Sequence, residues 1–390
     1  MDNKRRALIY TSLGHFLNDS FIIVFSILIA YYLDMKISAS YLGVMGALIN
    51  ILSGLISMWV GIIADRRGVH AKLMLLGYAL IGLSIILYAI SFLYIKYDLI
   101  FIAIASIFLG TGLSFYHPLG GSILQHTFDP RDSPRALGIN GSFGSIGRAL
   151  FPVILVFTIN YLGGPLALSI IGIYTFIIGF IVFYGLNPIK IEYKINKDST
   201  NKVSLSSYYY VLIPLAIVIF IRAMFISGVQ TYVPTYLSHL LNSKEIMSII
   251  LTVSYATAIF GQPYFGKLTG DIGGRKVVFL TTILATLFYI GFLLIKIKII
   301  MALMFVLFSL FAFSGFPVLL GYVGQIVDRN VSAQANSLIW GIGNTIGGAI
   351  GILIGGLLLN KIGFYNDMLI FAIIAVISTA LLPLIPSKRK

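Results

Sequence analysis

Apolar residues in this chain fall into long blocks rather than alternating along it. Twelve such blocks occur, at about 7–33, 40–64, 72–95, 99–125, 135–162, 165–187, 208–237, 245–266, 277–295, 299–325, 332–360 and 366–385. A block of about 20 apolar residues spans the hydrocarbon core of a bilayer as a helix. Helices satisfy their own backbone groups, which lipid cannot do. The pattern therefore predicts an all-α membrane protein of twelve transmembrane helices. The one sizeable polar stretch, 188–207, separates an N-terminal six-helix half (1–187) from a C-terminal six-helix half (208–390) and reads as a cytoplasmic linker. Lys4, Arg5 and Arg6 ahead of the first block resemble a leader sequence. That block is longer than the roughly 7–15 residues of a leader's apolar region, and it contains His15, Asn18 and Asp19. It is read as the first span, uncleaved.

Composition agrees: 58% of residues are hydrophobic and 10% charged, against about 25% charged in soluble domains. An even number of spans puts both termini on one side. That side collects 19 of the 27 Lys and Arg, the other holds 6, and two lie inside spans. The bias places the termini in the cytoplasm and the protein in the cell membrane as a multi-pass chain. The formal charge of +14 is thus topological, since no basic run exceeds three residues, and no nucleic acid is expected. Zero cysteines exclude disulfides and thiolate chemistry. GQPYFGKL (261–268) matches a phosphate loop up to Lys267, but Leu268 stands where Ser or Thr must ligate magnesium and no strand precedes it. No HExxH zinc motif is present. The reading is not an enzyme, with no metal and no cofactor. Transport would draw on a proton gradient, by a monomer whose partners are a small-molecule substrate and the lipid bilayer.

The halves share landmarks. Gly61, Asp65, Arg66 and Gly68 follow the second span in GIIADRRG, and Asp271 and Arg275 follow the eighth in GKLTGDIGGRK, the acids 206 residues apart. Glycine strings at 138–147 and 341–351, in the fifth and eleventh spans, are offset by about 203. Two offsets that agree indicate two six-helix pseudo-repeats, the layout of secondary transporters with a midplane site. Gly allows close helix approach, and Asp65 beside Arg66 suits a helix cap or a charge pair at a cytoplasmic gate. Asp271 and Arg275 are the second gate candidates, although Ile272 replaces the arginine expected after the acid.

Charges deep in a bilayer cost about 3 kcal/mol or more and mark interior paths. By position in the blocks, Asp19 is the one such acid and Arg148 and Arg222 the two such bases. At 1.5 Å per residue, Asp19, Arg148, Arg222 and His117 all fall about 20 Å from the cytoplasmic charges. His15, Asn18 and Asp19 share one helical face. An unpaired buried carboxylate holds its proton more firmly and an adjacent arginine loosens it. Asp19, with Arg148 as switching partner and His15 as helper, is the expected proton-coupling group; a permanent structural pair is the alternative. Arg222 has three options: to share Asp19, to bind carbonyls and water, or to hold an anionic substrate group through its planar fork. Asn18, Tyr116, His117, Gln230, Tyr322, Trp340 and Asn344 complete the expected substrate-binding set. The glycine strings are expected to serve packing.

Several of these strings carry a resemblance. GIIADRRG resembles the loop 2–3 signature of the major facilitator superfamily. LGHFLNDS (13–20), GTGLSFYHP (110–118), Arg222 with YVPTY (232–236), and QIVDRNVSAQANSLIWGIGNTIGG (325–348) resemble that superfamily's fosmidomycin-resistance branch. The branch carries a Glu after His-Pro, where this chain has Leu119, and a Gly-Pro in the fifth span, interrupted here between Gly147 and Pro152. The resemblance implies the major facilitator fold and proton-driven efflux, by antiport and alternating access, of a small anionic or phosphonate-like compound or drug, hence drug resistance. A proton-coupled uptake symporter for an organic acid or sugar, and a non-transporting receptor, are the competing expectations.

Overall fold

A computed structural model describes residues 2–129, 131–189, 205–328 and 331–385, and the described residues contain helices and no strand. The first crossing is α1 (Asn3–Ile22) continued by α2 (Val24–Asp34); α3 (Ala39–Arg67), α4 (His70–Leu93), α5 (Asp98–Thr127), α6 (Ser133–Leu162) and α7 (Gly164–Leu186) follow. After the linker come α8 (Tyr209–Leu241), α9 (Lys244–Ile272), α10 (Gly274–Leu294), α11 (Lys298–Ala312) and α12 (Gly315–Ile326). The chain closes with α13 (Ser332–Leu338), a π-helical stretch Ile339–Ile346 and α14 (Gly347–Ala380). Among the described residues, eleven helical spans are long and apolar enough to cross a membrane, and the last, Gln334–Leu384, has 51 residues. That is more than twice the roughly 20 residues one crossing needs. It bends at Gly363, whose φ of 80° and ψ of 166° suit glycine alone. The bend makes two crossings of one span, in keeping with the twelve blocks.

The chain divides into two compact units, residues 1–37 with 44–195, and residues 196–390 with 38–43. Of the expected linker, 190–204 lie outside the described residues. In the N-terminal unit α1 packs on α5 and α6, and α4 on α5 and α7. Two glycines set the approach of α6 to α1. A Cβ at Gly144 would strike the His15 ring, and one at Gly147 would strike the carbonyl of Phe16. Small residues permit such backbone contact in membranes, and the contact carries Arg148 to Asp19.

In the C-terminal unit α8 packs on α14, α10 on α11, and α9 on α11 and α12. The break between α11 and α12 has a local cause. Pro317 lacks an N–H, and its ring excludes the helical bond to the carbonyl four residues earlier. Lipid offers no water to the freed Phe313 carbonyl, and Gln262 donates to it (3.3 Å). The neighbouring Ala312 carbonyl, at the end of α11, accepts from Arg222 Nη2 (3.3 Å).

Candidate functional site

One carboxylate in the N-terminal unit gathers polar groups from three helices. Asp19 of α1 accepts from Arg148 Nη2 of α6 on Oδ2, at 2.6 Å. Its Oδ1 accepts from Asn18 Nδ2 at 3.1 Å and lies 3.6 Å from His15 Nε2 and 3.5 Å from His117 Nε2 of α5. The Asp19 side chain is 3% exposed, Arg148 20% and His117 54%. The acid is therefore sealed, while Arg148 and His117 beside it face outward to different degrees. Ion pairs at this depth are held by such direct, charge-assisted bonds.

A second layer orients the first. His15 Nδ1 lies 2.8 Å from Asn140 Oδ1. Asn140 Nδ2 donates to the Tyr116 hydroxyl (2.8 Å) and to Thr11 Oγ1 (3.2 Å), and Tyr116 donates to the Thr11 carbonyl (2.8 Å). With its amide protons so used, Asn140 presents its oxygen to His15, which must donate from Nδ1. Nε2 of His15 then points at Asp19, so a second proton on that ring sits against the carboxylate. Rings pack behind this contact, His15 tilted against Tyr116 at 4.6 Å and edge-on to His117 at 5.3 Å.

The structure thus brings together Asp19, Arg148, His15, Asn18, Tyr116 and His117. It adds Asn140, which the sequence reading absorbed into a packing string. The available signal was its spacing: Asn140, Gly144 and Arg148 sit at i, i+4 and i+8, one helical face. Tyr78 of α4 was also missed, and its hydroxyl fills the space beside Gly14. His15, Asp19 and His117 offer ligand atoms within 4.8 Å of one another. Arg148 already holds the other oxygen of that carboxylate, and a fixed cation so close repels a second one. The set is better matched to protons and anions than to a metal.

The remaining expected residues are placed elsewhere. Arg222 is 7% exposed and donates to Thr282 Oγ1 (3.2 Å) and the Ala312 carbonyl, so of its three options the carbonyl one is seen. Tyr322 is 1% exposed and packs on Gly274 inside the apolar core of its unit. Gln230 and Asn344 are half-buried, and Trp340 lies 5.0 Å from Phe316 on the π-helical stretch. Among the gate candidates, Asp65 accepts from Ser122 (3.1 Å) and lies 3.2 Å from His70 Nε2. Gly68 closes α3 at φ 63°, near Gly61 and the exposed Arg66. Asp271 is exposed, while Arg275 donates to the Ile385 carbonyl (2.9 Å). Each of these contacts lies within its own unit.

The sequence-stated uniqueness of Asp19 needs correction. Asp367, which opens the last apolar block and was expected at its polar end, is 0% exposed. The turn at Gly363 delivers it between α8 and α10 instead of to water. Position in a block reports depth along the membrane normal and not which way a helix faces.

A twelve-span helical chain in two units, with a sealed carboxylate–guanidinium pair beside an open histidine, has the make-up of a membrane transporter and not of an enzyme. The pattern of the Major Facilitator Superfamily matches residues 11–338 and 215–390, and the chain belongs to that family. Its fold is similar to that of a bacterial homolog of the human lysosomal transporter Spinster in an inward-facing, unoccupied conformation. That likeness has a TM-score of 0.80 at 14% identity and covers 97% of this chain and 96% of that one. The occupied inward-facing form of the same homolog scores 0.78 at 14% identity with the same coverage. A point mutant of the nucleoside transporter NupG scores 0.76 at 15% identity, covering 99% of this chain and all of that one (100%). No curated protein matches at the level of sequence.

Proposed function

We propose that the protein, which proton and solute occupy together, is a proton-coupled transporter of a small anionic, phosphonate-like compound, working by alternating access in the cell membrane with both termini cytoplasmic. The observation that carries this reading is the Asp19–Arg148 pair with two histidines beside the other carboxylate oxygen. Protonation of Asp19 removes its charge and loosens the 2.6 Å bond. The freed guanidinium, together with His117 at 54% exposure, then meets an anionic group. Loss of the proton recloses the pair and expels the anion, so proton and solute are held together and released together. The helix 1 and helix 4 strings around His15, Asn18, Asp19, Tyr116 and His117 support the fosmidomycin-resistance branch; Leu119 removes that branch's glutamate and leaves coupling to Asp19. Asp65 with Arg66, and Asp271 with Arg275, are assigned to the cytoplasmic gate.

Proteoliposomes with fosmidomycin as probe test this directly. A proton gradient should drive the probe against its own gradient and in the same sense as the protons, and Asp19→Asn should uncouple the two fluxes. Undiminished probe-linked proton flux in Asp19→Asn would remove the coupling role. Movement of probe and protons in opposite senses would replace this linkage by export through antiport, the mode the fosmidomycin-resistance resemblance implies, and no movement of the probe would remove the phosphonate assignment.

A further inference from the structure

Asp367 is a carboxylate without a donor. It is fully buried, and neither oxygen has a hydrogen-bond partner among the described residues. It lies four residues past the bend at Gly363, where α14 packs on α8 and α10. The groups that face it are tyrosines: Tyr232 of α8 and Tyr289 of α10 are within electrostatic reach. Each has a single hydroxyl proton, and each spends it on a backbone carbonyl, Tyr232 on Ile352 (2.8 Å) and Tyr289 on Met368 (3.0 Å). Neither hydroxyl therefore has a proton left for the carboxyl. Further out stand Tyr236, Tyr365 and His239, the last stacked on Phe364 at 4.1 Å. No Lys or Arg lies within ion-pair distance of Asp367 among the described residues.

A fully buried carboxyl with no donor is costly as a bare anion, and taking up a positive ion relieves that cost. We propose that Asp367 is a cation-binding site of the C-terminal unit, filled by one monovalent cation, a proton or a sodium ion. Either ion would neutralise the buried carboxylate. This site does not depend on Asp19 or on the direction of transport.

The test uses the full chain in detergent, with thermal unfolding followed across a pH series in potassium and across a sodium series at fixed ionic strength. If the ion is a proton, the unfolding temperature falls as pH rises from mildly acidic to alkaline, because the folded state alone holds the proton. If it is sodium, the temperature climbs with sodium concentration and not with potassium. Asp367→Asn, which supplies its own N–H donors, should abolish whichever dependence appears, and Asp19→Asn should keep it. Equal pH and sodium responses in the wild type and Asp367→Asn would overturn the proposal. Should Asp367→Asn not fold, infrared spectra of Asp19→Asn decide. A protonated-carboxyl stretch at neutral pH, or sodium-dependent stabilisation, supports the site, and the lack of both overturns it.

Discussion

In the N-terminal unit a buried arginine and a buried acid meet. Arg148 lies 2.6 Å from Asp19, and Asn18, His15 and His117 crowd the other oxygen. In the C-terminal unit the same two residue types are kept apart. Arg222 bonds only neutral oxygens, those of Thr282 and Ala312, and Asp367 bonds nothing among the described residues. The difference lies in what each guanidinium can reach. Both units have a proline-disturbed helix nearby, Pro152 within α6 and Pro317 near the start of α12. Arg148 nevertheless reaches a carboxylate of α1, whereas the donors of Arg222 go to a hydroxyl and a carbonyl. A buried arginine in a membrane helix thus reads as a coupling group only where an acid lies within its reach.

The largest effect that sharpens this contrast is expected at Arg148. Arg148→Ala strands a carboxylate that is 3% exposed, and stranding one member of a buried pair costs about 3–5 kcal/mol. Asp19→Asn in the same chain should recover most of that loss, because no bare charge then remains. Thermal unfolding of the two single variants and the double one measures the coupling. Purely additive losses would show that the pair is not a unit, since independent sites add.

How much of this was legible in the sequence varies with the kind of constraint. The spans were legible, because a bilayer fixes their length. Asp19, Arg148 and His117 could be placed together because rise per residue converts sequence distance into depth. Depth carries no azimuth, and the misses follow from that. Asp367 sits at the end of an apolar block yet faces inward, turned by the bend at Gly363. Tyr322 looked like a cavity residue and is instead wedged against Gly274. Asn140 was hidden within a glycine string whose packing role is itself confirmed at Gly144 and Gly147. The partners of Arg222, Thr282 and Ala312, lie 60 and 90 positions away in sequence.

A middling effect is expected at Arg222. Arg222→Met removes the donor to the Ala312 carbonyl and to Thr282, and a buried polar group left unsatisfied costs about 1–3 kcal/mol. Loss of a buried charge that has no counter-ion offsets part of this. The variant should therefore unfold at a modestly lower temperature while keeping its apparent affinity for the probe in the flux assay. A rise in KM with unchanged stability would instead make Arg222 a solute ligand and erase the contrast between the two arginines.

The smallest effect belongs to an ion pair of the N-terminal unit that stands in water. Lys4 Nζ lies 2.6 Å from Asp129 Oδ2, with side chains 43% and 69% exposed. The hydrogen bond from Lys4, then its charge, hold the Asp129 carboxyl below its ordinary range. A depressed carboxylate stabilises the fold above its unfolded pKa of about 3.9, and that contribution is lost as pH falls through the folded value. Exposed pairs gain little in high dielectric and are screened by salt. Lys4→Ala should accordingly lower the unfolding temperature marginally at neutral pH and low salt, and the difference should vanish in high salt or in acid. A large loss that persists in high salt would show that Lys4 anchors α1 to the α5–α6 connection as Arg148 anchors α1 to α6, and that solvent exposure is not what separates weak pairs from strong ones in this unit.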